Sequence, residues 1–147
     1  MLKPRNRFRG EHGTVLILMP AAVLIMFILA AITIDLTAVR AGRQDLLAAA
    51  TDAANDAATA GLDEAALRAG LGYRLDPARV WFVAIEVLAA KGLLDDLERG
   101  PDVSISPDGS VTVVLQRRVR HLFARAIPGA PDDQMVTATV TASVQQR

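Results

Sequence analysis

The chain has 147 residues, 52% of them hydrophobic, with sixteen basic side chains against sixteen acidic ones. The neutral total conceals a split: residues 1–13 carry four basic side chains and one acidic, a charge of +3, whereas residues 35–147 carry twelve basic and fifteen acidic, a charge of −3. A net-acidic folded part lacks the basic face of a nucleic-acid binder, and with no cysteine in the chain, disulfide stapling and thiolate metal sites are excluded.

Residues 14–34, TVLILMPAAVLIMFILAAITI, hold no charge. A hydrocarbon core about 30 Å thick needs about 20 apolar residues at helical rise, so the run predicts a transmembrane helix. A secretory signal has a shorter apolar region, about 7–15 residues, followed by a small-x-small cleavage site. Here the nearest candidate, ILAAI, is embedded in apolar sequence. A retained anchor is therefore preferred over a cleaved signal or a soluble core helix. Pro20 lies inside the span and should bend it. Lys3, Arg5, Arg7 and Arg9 precede the span, and only Arg40 and Arg43 lie close behind it, offset by Asp35 and Asp45. The positive-inside rule then puts residues 1–13 in the cytoplasm as a basic tail and residues 35–147 outside it.

Nothing breaks the helix at Ile34. Residues 35–61 are rich in Ala, the best helix former, with Gly42 as an interruption before Gly61. At heptad spacing Leu36, Val39, Arg43, Leu46, Ala50, Ala53, Ala57 and Ala60 share one stripe, apolar except for Arg43. Arg40, Gln44, Asp45, Thr51, Asp52, Asn55, Asp56 and Thr59 face the other way. The pattern predicts one helix running on to about Gly61, roughly 70 Å at about 1.5 Å per residue. Its small-residue stripe suits close packing, preferably on the chain's own outer domain and alternatively on another helix. Asp35, Arg43, Ala50, Ala53 and Ala57 are the candidate assembly seam. Asp35 lies at the edge of the apolar run, where a charge needs water or a partner.

Residues 62–147 read as a small α+β domain. LDEAALRA is a candidate short helix. Asp76-Pro77 has the form of a helix cap and start, and Gly92 of a stop. The helix between them should bury Trp81, Ala84, Ile85 and Leu88, with Val80 and Val87 beside them. The period then changes to two. Val103 and Ile105 alternate with serines, SPDGS is a turn, and 110–123 is a long strand. ARAIPGAPDDQ is a loop. Val136, Ala138, Val140, Ala142 and Val144 alternate with polar residues as a last strand. The fold class is α+β: a long N-terminal transmembrane helix continuing into an amphipathic helix, a second helix, and a three-stranded antiparallel sheet.

No catalytic constellation emerges. His12 and His121 have no second metal ligand at helical or hairpin spacing. No serine has recognisable His and carboxylate partners, and there is no Gly-rich phosphate loop. Asp95-Asp96 and Asp132-Asp133 read as loop charges, too few oxygens for calcium, and Arg117, Arg118 and Arg120 as a solvated strand face. The expectation is a non-enzymatic chain with no cofactor and no metal.

Residues 9–61 resemble the N-terminal region of the TadE/TadG-like proteins of tight-adherence (Flp) pilus loci. The features that carry the resemblance are Arg9-Gly10 or His12-Gly13, Pro20 within the apolar helix, Ile34-Asp35 at its end, Arg43, and the run Thr51-Asp52-Ala53-Ala54. The resemblance implies a bacterial inner-membrane, single-pass component of a pilus or secretion apparatus, acting in assembly or as a minor-pilin-like subunit with pilin-like architecture. Its partners would be the lipid bilayer, other membrane proteins of the apparatus, and further copies of itself as a homo-oligomer; no nucleic acid is implied. Two features depart from the pattern. Type IV pilin-like precursors are cut after a Gly and carry Glu at the fifth mature residue, which here is Leu18 counted from Gly13 or Val15 counted from Gly10. The family's proline also lies farther from its glycine. An anchored extracytoplasmic binding or sensor domain unrelated to pili is the alternative reading, and a small secreted protein the third.

Overall fold

The computed structural model describes residues 12–70, 72 and 74–143, with side chains from Leu18 onward. The basic tail up to Glu11 and the last strand position, Val144, lie outside the described residues.

Helix α1 runs from His12 to Ala60 as one element of 49 residues and includes Pro20. At about 1.5 Å per residue it is about 70 Å long. After Pro20 no proline interrupts it, and Thr33, Thr37, Thr51 and Thr59 return their hydroxyls to the carbonyl four residues back. Thr33 thereby satisfies its own polar group within an apolar stretch. The helix has two unlike halves. From Leu18 to Ile34 its large side chains are exposed, and the helix is long and apolar enough to cross a membrane. From Leu46 to Ala58 one face is buried in the core.

The chain turns at Gly61, then forms α2 (Glu64–Arg68) and α3 (Pro77–Ala90). Asp63 caps α2 by accepting from the N–H of Ala65 and Ala66. Asp76 caps α3 by accepting from Ala78, with Pro77 in the first turn, a pairing that fills one orphan donor and wastes none. Gly92 follows α3 at φ 66°. Strands β1 (Asp102–Ile105), β2 (Ser110–Arg120) and β3 (Asp133–Ser143) make an antiparallel sheet in the order β1-β2-β3. Thr112 faces Thr141, and Val113 faces Val140.

The sheet has one dry and one wet face, as its alternation requires. Val111, Val113 and Leu115 from β2 and Val136, Ala138 and Ala142 from β3 point into the core. The Thr112 and Thr141 hydroxyls bond each other at 2.8 Å on the outer face. The second half of α1 lies across β2 and β3, and α3 packs beside it and reaches β1. β2 runs back along α1: its start belongs to the turn near Asp76, and its end approaches Gly42 and Asp35.

Two faces sit differently from the heptad and helical readings. On α1 the buried stripe is Asp35, Gly42, Leu46, Ala49, Ala50, Ala53, Ala54, Ala57 and Ala58, whereas Leu36, Arg43 and Ala60 are exposed. A heptad repeat drifts against the 3.6-residue turn of a straight helix, and the contact follows the straight helix. Gly42 takes the place assigned to Arg43 because strand β2 crosses there: a Cβ on Gly42 would lie 2.7 Å from Val119 Cγ2. On α3 the buried face is Val80, Ala84 and Leu88, at i, i+4 and i+8, while Trp81 is exposed and Ile85 half-buried. Alanines on α1 let α3 approach closely along this line, and Trp81, one position round the helix, is turned outward.

Gly61 is the tightest point of the handover from α1 to the domain. It donates to the Ala57 carbonyl and accepts from the Asp76 N–H, both at 2.9 Å. An added Cβ would overlap the Ala57 carbonyl oxygen and Val80 Cγ2. Gly61→Ala is expected to destabilise the full chain by about 1–3 kcal/mol, the usual cost of overpacking. Gly100→Ala, where a Cβ meets nothing within 4 Å, should leave the thermal melt unchanged and serves as the control.

Candidate functional site

The five proposed seam residues divide. Ala50, Ala53 and Ala57 are fully buried against this chain's own α3 and sheet. Arg43 is exposed on another side of α1. Asp35 is buried, and what it holds was not readable from its own neighbourhood: its carboxylate receives the backbone N–H groups of three consecutive residues of the β2–β3 loop. Oδ1 accepts from Leu122 at 2.7 Å and Phe123 at 3.1 Å, and Oδ2 accepts from Phe123 at 3.2 Å and Ala124 at 2.7 Å.

These amides open a short 3-10 turn, Ala124–Ala126. Asp35 therefore acts as a cap supplied from another element, almost ninety residues away in sequence. Charge-assisted bonds of this kind are stronger than neutral ones. Burial raises the pKa of Asp35; the N–H groups of Phe123, Ala124 and Leu122, with nearby His121, outweigh that and hold it below the ordinary carboxylate value. The His121 main chain donates to the Asp132 carbonyl at 2.9 Å, and its Nδ1 is buried without a hydrogen-bond partner.

The stripe does not end at Asp35. Phe27, Ile28, Ala31 and Ile34, on the turns N-terminal to Asp35, form one wall of a groove whose other wall includes Phe123 and Ile127. The groove encloses about 610 Å³, and its lining is apolar except for Asp35. Leu122, Phe123 and Ile127 are each about half exposed. The opposite side of the loop is polar, with Arg120, His121, Arg125, Asp132 and Asp133 around a second hollow.

The arginines of β2 alternate in role. Arg117 points toward α1 and donates from Nη2 to the Gly42 carbonyl at 3.1 Å. Arg118 points outward and forms a two-pronged pair with Glu98, Nε to Oε2 at 2.9 Å and Nη2 to Oε1 at 2.8 Å, with Asp133 within 3.6 Å. Arg120 is exposed. Among the described residues, no three His, Asp or Glu side chains gather where they could share a metal ion.

Strand β2 is shorter than the 110–123 expected from the sequence. The strand ends at Arg120. The available signal was the cost of a carboxylate at the end of an apolar run, which demanded a partner but could not name it. Comparison with known protein families, with curated proteins and with solved structures found no match.

Proposed function

We propose that the chain is a single-span, non-enzymatic membrane component of a Tad-type pilus or related secretion apparatus, with an extracytoplasmic α+β domain that contacts other parts of it. The observation that carries this reading is the division of α1. Its first half is apolar and unpartnered, and its second half, without interruption, becomes the spine of the sheet domain. That layout is compatible with a pilin-like subunit, in which one helix both anchors and scaffolds. The likeness of residues 9–61 to the TadE/TadG-like proteins supports the same reading. The exposed pair Trp81 and Phe82, at the end of the domain farthest from the apolar half, favours the second reading of an anchored binding domain.

Topology and assembly test the proposal separately. The chain lacks cysteine, so single cysteines at the exposed positions Ser104 and Ser143 report location cleanly. Both should react with a membrane-impermeant thiol reagent in intact cells whose outer barrier has been made permeable; labelling only after lysis rejects the orientation. N-terminal sequencing of the mature chain that begins within residues 28–45 rejects the retained anchor. Deletion in the native host should abolish surface pili, restored by the full chain. Unchanged piliation would reject the pilus role while leaving the anchored domain standing.

A further inference from the structure

We propose that the β2–β3 loop is a second membrane contact: Leu122, Phe123 and Ile127 enter the outer leaflet beside α1, and lipid acyl chains occupy the groove between loop and helix. The inference rests on the reading of residues 14–34 as a membrane span. If that span ends near Ile34, Phe27 lies seven residues below the boundary, about 10 Å at helical rise. Phe123 and Ile127 share the groove with Phe27, Ile28 and Ala31, so the loop's apolar side chains lie beside the apolar half of α1. Interfacial segments bury their apolar face about 5–10 Å into the headgroup and acyl boundary, with polar residues above. The loop is arranged in this way, Leu122, Phe123 and Ile127 half exposed on one side and Arg125, His121 and Asp132 on the other.

The groove is continuous with the lipid-exposed flank of α1, and its lining is apolar apart from one carboxylate. That carboxylate is not an obstacle, because both of its oxygens are already occupied by loop amides. Bonding those amides to Asp35 also removes three main-chain donors from a depth where an unpaired N–H is costly. Asp35 is thus the clamp that lets a non-helical segment sit at the membrane surface. The occupant we commit to is the bilayer's own acyl chains rather than a second copy.

The test uses the full-length chain in phosphatidylcholine vesicles, with and without lipids carrying a nitroxide in the upper acyl chain. Phe123→Cys and Ile127→Cys are labelled singly with an environment-sensitive fluorophore. Leu29→Cys, on the exposed apolar half of α1 and outside the groove lining, is the in-membrane reference, and Ser104→Cys the distant one. The expected result is blue-shifted emission and nitroxide quenching at positions 123 and 127 comparable to position 29, with position 104 unquenched. Each variant must match the parent's thermal unfolding, and either loop position alone suffices. Quenching at 29 with 123 and 127 as unquenched as 104 overturns the loop contact and leaves the span intact. Blue-shifted but unquenched loop labels, with energy transfer between labels on separate chains, overturn it in favour of a second copy. No quenching at 29 either removes the span and the inference together.

Discussion

Asp35→Ala is expected to release the β2–β3 loop from α1. The change removes every acceptor for the N–H groups of Leu122, Phe123 and Ala124 and leaves donors partly buried without partners, which costs more than the bonds themselves were worth. Hydrogen exchange should show the three amides losing protection, while those of β1 and the first half of β2 keep theirs. Asp35→Asn should fall between, because its one carbonyl can serve some of the donors while its NH2 group faces the others. The pH dependence has a definite sign. The folded pKa is depressed, so the stabilisation is present above the unfolded carboxylate value of about 3.9 and is lost as pH falls through the folded value. Loop protection should therefore be flat from neutral pH down to about 4 and fail only in stronger acid. Loss of protection above that range would show that Asp35 is not the group that holds the loop.

Ala53→Leu should damage the core from the other end of the same stripe. Ala53 is fully buried between α3 and the sheet, and three extra carbons have no room without moving one layer. The expected cost is about 1–3 kcal/mol. Asn55→Leu, on the exposed face two residues on, should shift stability by no more than about 0.5 kcal/mol. Paired denaturant titrations of the two full-length variants decide the matter. Equal effects would mean that the buried face is not where the structure puts it. If Ala53→Leu keeps its fold and stability but loses assembly, the alanine stripe serves contacts between chains as well.

The elements were legible because each has a local cause. Asp76-Pro77 and Gly92 bracket α3, the serine alternation and SPDGS define the β1–β2 hairpin, and the valine–threonine alternation defines β3. The three-stranded α+β arrangement followed from them. Rotations of faces were less legible. Nothing within α1 distinguishes Leu36 as exposed and Gly42 as buried; Val119 and Arg117, some seventy-five residues on, decide it. Trp81 misled for a related reason. The helical reading put it on the buried face, but the line that meets α1 is Val80, Ala84 and Leu88, one position round the helix. The Asp35 clamp was half legible: the charge announced a need, and only the tertiary path of β2 supplied the three amides.

The bond from Asp35 to Leu122 spans 87 residues, and this has a consequence for how the protein is made. Closing such a separation adds modestly to the equilibrium cost but slows folding, since distant partners must meet before any reward appears. During synthesis the alanine face of α1 emerges well before β2 and β3, which with α3 cover it. A nascent chain that has not yet folded residues up to Ser143 carries a long helix whose apolar side is covered only in part, by α3, and β2 with an unpaired edge. The domain is thus completed from its C-terminal end, and any chain ending before Asp133 would lack the strand that shields both.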